Sequence, residues 1–309
     1  MELLPFLFKL VIYARVSILF VLVRKKKTRL ASLLNISLYN HSLIYFYQNI
    51  FLIMEIAVCQ LSATPLRAEP SHKAEMISQL LFGETVEILE KRPPWYLVKS
   101  KIDLYEGWVD AQQLEILPQI PQLDEDKLFI CPKMFTWLIH CLNGEKQLIT
   151  FGTMLTEENG KLKVGNSEYY KHDDLMPLHR KTTKDEIIKS AKLWLNTPYL
   201  WGGRTPLGVD CSGFVQLVFR CNGKNLPRDA WQQAEMGNHV DFVSEAMPGD
   251  LAFFAHDEGK ISHVGILIDN HQIIHASGKV RIDAFDHQGI FNLSFKTYTH
   301  QLRLIKRIL

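Results

Sequence analysis

The chain has 309 residues, of which 47% are hydrophobic and 22% charged, a composition typical of a globular protein with two or three domains. Its formal net charge of +2 gives no reason to expect nucleic acid as a partner. The five cysteines show neither paired nor CxxC spacing, which indicates free thiols in a reducing compartment rather than a disulfide framework or a zinc site.

Residues 1–53 form an apolar N-terminal extension that allows two interpretations. Residues 4–23 could span a bilayer and precede the basic run RKKK, but Lys9 and Arg15 would each cost about 2.5–3.5 kcal/mol near the bilayer centre. Either the extension is a membrane or export segment, or translation starts at Met54, where strand-like alternation begins. The first interpretation predicts membrane contact and a location in the cell envelope or at the membrane. The second predicts a cytoplasmic protein.

Two strand-rich segments follow, at residues 54–118 and 123–180. In the first, TVEILEK, WYLVKS and YEGWVDAQQLEIL alternate between apolar and polar residues, which predicts a small β-barrel. The stretch LPQIPQL at 117–123 has two prolines and no helical period, and is predicted to be a linker. In the second segment, LFICP, FTWLIHCL, KQLITFGTMLTEENGKLKVG and EYYKHDDLMPL predict strands, with a hairpin turn at residues 159–160.

The sequence pattern changes at residue 181, and residues 181–309 are predicted to form an α+β domain. Thr183 with Glu186 forms a capping box before a helix whose apolar face would include Leu195. A second, buried helix is expected from Cys211 to about Gly223, and QQAEMG suggests one more helical turn. The runs DLAFFA, HVGILI, QIIHASG and QLRLIKRIL are then predicted to be strands.

Cys211 is a candidate nucleophile because it would lie in the first turn of its helix, where exposed N–H groups and the helix dipole lower a thiol pKa. His263 and His275 flank an apparent hairpin turn at residues 269–271, so we expect them to be cross-strand neighbours that can hydrogen-bond. One histidine could act as the base for Cys211 while the other orients it.

Less specific interpretations remain open for these residues. A free cysteine is one of the most often buried residue types, and a histidine at a strand end is commonly a surface residue. Four histidines cluster in sequence, at positions 256, 263, 271 and 275, but they have no recognised metal-ligand spacing. We therefore expect neither a metal nor a cofactor.

The motifs TPYLWGGRTPLGVDCSGFVQLVF, LPRDAWQQ, MPGDLAFF, SHVGILI and IIHASG resemble the NlpC/P60 cell-wall peptidases in order and spacing, over about residues 181–309. The first strand-rich segment resembles a bacterial SH3-like (SH3b) domain, and the second a degenerate copy that lacks a clear GWV. The resemblance implies a papain-like α+β catalytic domain, with helices packed on an antiparallel sheet, preceded by one or two small SH3-like barrels. It also implies that Cys211 is the nucleophile, His263 the general base and His275 the orienting residue.

The architecture is similar to that of γ-D-glutamyl-L-diamino-acid endopeptidases, which implies hydrolysis of the amide between γ-D-Glu and diaminopimelate in peptidoglycan stem peptides. Motif positions imply recognition of a free N-terminal L-Ala amine, and the substrate-binding residues so implied are Tyr199, Asp210, Ser212, Asp229, Glu69 and Tyr105. Asp210 could instead be a helix N-cap. Alternative functions are an acyltransferase or amidase on the same site, or a murein-binding module. A monomer is expected.

Overall fold

The computed structural model describes residues 55–118, 124–178, 182–255 and 259–309. The predicted N-terminal extension, residues 1–53, and the candidate start at Met54 lie outside these ranges. In the part of the chain that is described, no helix is both long and apolar enough to cross a membrane.

The first sheet contains seven antiparallel strands in the order β3-β2-β6-β5-β4-β1-β7. The segments predicted from alternation become β4, β5, β6 and β7, because their alternate residues, such as Val86 and Val98, fill a buried core. A 3₁₀ turn separates β6 from β7. The strands are β1 (Glu55–Cys59), β2 (Ala63–Arg67), β3 (Met76–Leu81), β4 (Thr85–Arg92), β5 (Trp95–Ser100), β6 (Glu106–Asp110) and β7 (Leu114–Leu117).

The second sheet repeats the strand order of the first. Its order, β10-β9-β13-β12-β11-β8-β14, is the same when the strands of each sheet are counted from the first. Asn159 and Gly160 form the predicted hairpin turn, and both have positive φ angles. The strands are β8 (Leu128–Ile130), β9 (Phe135–His140), β10 (Lys146–Thr150), β11 (Met154–Glu158), β12 (Lys161–Val164), β13 (Ser167–Tyr170) and β14 (Met176–Pro177).

The described residues of the C-terminal segment form three α-helices: α1 (Lys184–Lys192), α2 (Cys211–Cys221) and α3 (Ala230–Gln233). The capping box of Thr183 and Glu186 is confirmed at the start of α1. Leu195 lies beyond the end of α1 and is exposed, whereas Trp194 is buried, so the predicted apolar face was wrong at that position. Helix α3 begins before the predicted QQAEMG turn.

The third sheet has the order β17-β23-β18-β19-β20-β21-β22, and an additional pairing of β22 with β23 closes six of these strands into a barrel. Strand β21, which supplies part of the site described below, was not predicted from the sequence. A short hairpin, β15 with β16, precedes α2. The strands are β15 (Arg204–Thr205), β16 (Gly208–Val209), β17 (Asn238–Val240), β18 (Leu251–Ala255), β19 (Ile261–Leu267), β20 (Gln272–Ser277), β21 (Lys279–Phe285), β22 (Gly289–Asn292) and β23 (Thr297–Arg307).

The largest hydrophobic core joins all three sheets. It packs Leu81 of the first sheet and Ile130 of the second against residues of α2 such as Leu217. Phe151, which follows β10, contacts Trp194 edge-to-face with ring centroids 5.3 Å apart. The two N-terminal sheets are therefore packed onto the C-terminal segment rather than tethered to it.

Candidate active site

Cys211 is the first residue of α2, and Asp210 is the N-cap of that helix. The Asp210 carboxylate accepts hydrogen bonds from the backbone N–H of Gly213 at 2.7 Å and of Gly202 at 2.9 Å. These bonds fix where the helix begins, since an N-cap side chain satisfies N–H groups that the helix leaves unpaired. Cys211 is thereby held in the first turn, with only 7% of its surface exposed.

Burial of the Cys211 thiol opposes the low pKa that its place at the helix N-terminus led us to expect. Burial and, after it, the nearby Asp210 carboxylate raise the pKa of the Cys211 thiol to about 12, against the opposing effect of the backbone N–H of Val264. Desolvation is the largest influence on this pKa, and the prediction from the helix dipole did not take the depth of burial into account. A thiol in this state needs a base to remove its proton.

The hydrogen bond expected between the two histidines is present: His263 Nε2 and His275 Nδ1 are 2.8 Å apart. The residues are diagonal neighbours, since Gly265 of β19 faces His275 of β20. A Cβ at Gly265 would lie 2.9 Å from the His275 Cβ, so the glycine makes room for the imidazole. The predicted turn between the strands is also present, with the Asp269 carboxylate accepting a hydrogen bond from the His271 N–H at 2.7 Å.

Strand β19 brings His263 next to Cys211. The backbone N–H of Val264 donates to the Cys211 sulfur, and Val264 directly follows His263 in the chain. The ring of His300, from β23, stacks on the ring of His263 with centroids 4.2 Å apart and planes inclined by 30°. The thiol and the imidazole pair therefore lie together, and the packing of His300 restricts the orientation of the His263 ring.

Two further side chains, which were not predicted from the sequence, extend the hydrogen-bonded pair of His263 and His275. Asp283 Oδ2 lies 3.0 Å from His275 Nε2, and Arg281 Nη2 donates to Asp283 Oδ1 at 2.7 Å. Burial would raise the pKa of the Asp283 carboxyl, but the hydrogen bonds from His275 and Arg281 hold that pKa below its usual value. Burial lowers the pKa of His275, and Asp283 only partly opposes this. The pair is therefore a neutral imidazole and a carboxylate.

The residues predicted to bind substrate are brought together in part. The Tyr105 hydroxyl of the first sheet donates to Asp229 Oδ1, at 3.2 Å, in the C-terminal segment. Burial raises the pKa of the Tyr105 hydroxyl to about 12, and Asp229 adds to the shift. Tyr199 lies within electrostatic range of Cys211, and burial followed by this proximity raises its pKa to about 12.

Asp210 and Ser212 are engaged by an arginine that sequence reasoning missed. Arg228 is buried, and its guanidinium lies 2.5 Å from Asp210 Oδ2 and donates to the Ser212 hydroxyl at 2.9 Å. Its Nε also donates to the hydroxyl of Ser78 in β3 at 2.9 Å. The Asp210 carboxylate thus serves as the helix N-cap, the alternative that the sequence left open, and also as the partner of Arg228.

Glu69 is exposed in the loop between β2 and β3. Elsewhere in that loop, the Glu75 carboxylate accepts a 2.6 Å hydrogen bond from the indole N–H of Trp201. Gly202 has a φ of +73°, and a Cβ there would lie 2.3 Å from the Met76 carbonyl oxygen, so only glycine allows this close approach. The loop that carries Glu69 therefore contacts the WGG segment that precedes Cys211.

A buried ionic cluster also joins the first sheet to the C-terminal segment. Glu84, which follows the turn after β3, lies 3.0 Å from Arg204 Nη2 and 2.5 Å from Arg220 Nη1, and all three side chains are 1% exposed. Burial would raise the pKa of the Glu84 carboxyl, but the two guanidinium groups outweigh it and lower the pKa. This cluster anchors α2, and hence Cys211, against the first sheet.

Metal ligation has no candidate in the parts of the chain that are described. Over residues 55–118, 124–178, 182–255 and 259–309, no group of three or more His, Cys, Asp or Glu side chains could hold a metal ion. The chemistry that the described site can perform is nucleophilic, with a thiol, an imidazole pair and a carboxylate.

Comparison with known proteins places both parts of the chain in named families. The sequence profile of the NlpC/P60 family matches residues 196–298, which include Cys211, His263 and His275. The profile described as a bacterial dipeptidyl-peptidase Sh3 domain matches residues 66–114 of the first sheet.

The chain is 34% identical over 216 residues to the gamma-D-glutamyl-L-lysine dipeptidyl-peptidase of Bacillus subtilis, covering 64% of this chain and 71% of that relative. It is 27% identical over 226 residues to the protein of the same name from Bacillus cereus, covering 64% and 66% of the two chains. A crystal structure of an NlpC/P60 family protein from Bacillus cereus shares the fold, with a TM-score of 0.68 at 22% identity over 82% of this chain and 99% of that one. The chain therefore belongs to the NlpC/P60 family of peptidases and carries a bacterial SH3 domain ahead of its peptidase segment.

Proposed function

We propose that this protein is a cysteine endopeptidase that hydrolyses the amide between γ-D-Glu and the diamino acid of peptidoglycan stem peptides. The observation that carries the proposal is the placement of Cys211, at the N-terminus of a buried helix, beside the hydrogen-bonded pair of His263 and His275. The names of the Bacillus relatives, which specify a γ-D-glutamyl bond, support the choice of substrate.

The proposed reaction begins with transfer of the thiol proton from Cys211 to His263 as the sulfur attacks the substrate carbonyl. The backbone N–H of Cys211, in the first turn of α2, is a suitable donor to the oxyanion, and the Tyr199 hydroxyl could be a second. His263 then gives the proton to the leaving amine as the C–N bond breaks. Water, activated by the same imidazole, hydrolyses the thioester and restores the thiol.

We further propose that the substrate has a free N-terminal L-Ala, as a stem peptide released from the wall would have. The hydrogen bond between Tyr105 and Asp229 supports this, because it places a carboxylate at the junction of the first sheet and the peptidase segment. Glu69, exposed on the neighbouring loop, would supply a second carboxylate to the ammonium group. A blocked amine would leave these carboxylates without the ammonium charge while the bound peptide desolvates them, which costs about 1–3 kcal/mol or more.

Mass spectrometry of the products tests this proposal. The protein is incubated with L-Ala-γ-D-Glu-diaminopimelate, with the same peptide carrying N-acetyl-L-Ala, and with intact sacculi. We expect release of the L-Ala-D-Glu dipeptide from the free-amine peptide and at least a hundredfold lower kcat/KM for the acetylated one, equivalent to about 3 kcal/mol.

The matched variants are Glu69→Gln, Asp229→Asn and, as a control on an exposed acid of the same sheet, Glu106→Gln. Glu69→Gln and Asp229→Asn are expected to reduce the discrimination between free and acetylated peptide, and Glu106→Gln to leave it unchanged. Equal hydrolysis of both peptides by the wild-type protein would contradict amine recognition, and hydrolysis of sacculi alone would contradict a released peptide as substrate.

We also propose that the second sheet, within residues 123–180, is a degenerate SH3-like domain and that residues 181–309 are arranged as in papain. Support for the first point is the strand order, which repeats that of the first sheet over residues 54–118. Support for the second is the packing of α2, which begins at the candidate nucleophile, against β19 and β20 of the third sheet.

A further inference from the structure

Each hydrogen bond in the chain that links His263, His275 and Asp283 has a defined donor and acceptor. Asp283 is ionised and accepts only, so the nitrogen that faces it, His275 Nε2, must carry a hydrogen. In a neutral imidazole only one nitrogen carries hydrogen, and His275 Nδ1 is therefore an acceptor. That nitrogen lies 2.8 Å from His263 Nε2, which must then be the donor.

The hydrogen of the His263 ring is placed by its partner in the same way. When His263 carries its hydrogen on Nε2, the lone pair of the neutral imidazole lies on Nδ1. We propose that Asp283 is a positioning residue that fixes the tautomers of both His275 and His263, so that Nδ1 of His263 is the atom that accepts the Cys211 proton. This inference rests on the proposed cysteine mechanism and extends it from three residues to four.

Arg281 keeps Asp283 in its acceptor state. Its Nη2 donates to Asp283 Oδ1 at 2.7 Å, and its Nε lies 2.7 Å from Oδ2. Arg281 faces His275 across β20 and β21, whereas Asp283 lies two residues further along on the same face of β21. The arginine charge favours the carboxylate, so the proton stays on His275 Nε2 rather than moving to Asp283.

Proton transfer to and from His263 then takes place at Nδ1 alone. As the bond from Cys211 Sγ to the carbonyl carbon forms, the thiol proton moves to His263 Nδ1 and the carbonyl π electrons move to oxygen. The resulting His263 imidazolium donates through Nε2 to His275 Nδ1, and Asp283 remains a carboxylate. When the C–N bond breaks, the proton leaves His263 Nδ1 for the amine nitrogen.

The test combines ring tautomers with kinetics in Asp283→Leu, which has a side chain of similar size but no acceptor. Long-range ¹H–¹⁵N correlation at pH 8, with rings assigned from His263→Gln and His275→Gln, reports which nitrogen carries hydrogen without any substrate. We expect Nε2–H on both rings in the wild type. In Asp283→Leu we expect loss of this preference and a decrease in kcat of at least a hundredfold, with KM changed less than threefold.

Asp269→Asn is the matched control, because it removes a carboxylate from the adjacent hairpin turn while the amide oxygen can keep the turn hydrogen bonds of Asp269. It should keep the wild-type tautomers and kcat. Asp283→Glu restores a carboxylate, and its kcat should be at least tenfold higher than that of Asp283→Leu. A purely structural loss in Asp283→Leu would not predict this recovery.

Wild-type tautomers and a kcat within threefold in Asp283→Leu would overturn the inference, and so would Nδ1–H on either ring of the wild-type protein. Absence of peptidase activity in the wild type with the expected tautomers would instead count against the proposed function. The two failures are therefore distinguishable.

Discussion

The Cys211 thiol is buried, which raises its pKa, and it lies beside the imidazole pair, so we expect its reactivity to depend on proton transfer to His263 rather than on a standing thiolate. Replacement of Cys211 by Ala is expected to abolish turnover, because the nucleophile is lost. The free energy of unfolding should change by only about 1 kcal/mol, since a thiol becomes a methyl group in the same space. Peptide hydrolysis and urea unfolding measure the two effects, and residual activity of a tenth or more would exclude Cys211 as the nucleophile.

The state of the thiols also predicts the order in which the cysteines react. Burial raises the pKa of Cys59 and Cys131 to about 11 and that of Cys211 to about 12, and Cys221 is buried as well. Cys141 is half-buried, so we expect iodoacetamide to label it first at neutral pH. Peptide mass spectrometry over time gives the order, with Cys141→Ser as the control. Fastest labelling of Cys211 would show that its thiolate is stabilised after all.

His275 makes stability depend on pH. Its pKa is lower in the folded protein than the ordinary value of about 6.5, so below that pH the unfolded chain binds more protons. The contribution of neutral His275 to the free energy of unfolding is therefore complete above about pH 6.5. It is lost as the pH falls below that value, by at most about 1.4 kcal/mol per pH unit. Urea unfolding of wild type and His275→Gln at pH 8, 6.5 and 5.5 measures this, and the variant should lose less on acidification. Identical pH dependence would refute a neutral, buried His275.

Cys211, His263 and His275 could be proposed from the sequence because each belongs to a strongly apolar helix or strand and to a motif that resembles the NlpC/P60 family. Asp283 and Arg281 were missed because charged residues that alternate along a strand are normally expected to face solvent. Here they face His275, and only the register of β20 with β21 reveals this.

Helix α2 is anchored by the ionic cluster of Glu84, Arg204 and Arg220. Glu84→Gln would leave two buried guanidinium groups without their carboxylate, and we expect the free energy of unfolding to fall by about 3–5 kcal/mol. Glu87→Gln is the control, because the Glu87 ion pair with Lys101 is partly exposed and worth less than about 1 kcal/mol. Equal losses in the two variants, measured by urea unfolding, would show that the buried cluster does not anchor the helix.

At the scale of elements, the predicted strands and hairpins were largely confirmed because alternation and the Asn159–Gly160 turn are local signals. The sequence analysis misplaced α3 because a four-residue helix has too few residues to show a helical period. The contact of Glu84 with two arginines more than a hundred residues away leaves no local signal at all.

In the described residues one hydrophobic core joins the three sheets, in addition to the separate cores of the first and second sheets. A fragment of residues 182–309 would expose the surfaces that Leu81, Ile130 and Phe151 cover in the full chain. We therefore expect the fragment to unfold at least 10 °C below the full chain and to lose the discrimination between free and acetylated peptides. Calorimetry and kinetics of both proteins test this, and a fragment that matches the full chain would show that the first two sheets are only a tether.

The most direct test of the cysteine mechanism is covalent capture by a peptide probe. A chloromethyl ketone that carries L-Ala-γ-D-Glu delivers an electrophile to the atom that attacks the scissile carbonyl, and peptide mass spectrometry locates the adduct. We predict one adduct, on Cys211, which forms at least a hundredfold more slowly with the N-acetylated probe and is absent in Cys211→Ala. An adduct on another residue, or equal rates with both probes, would contradict the account.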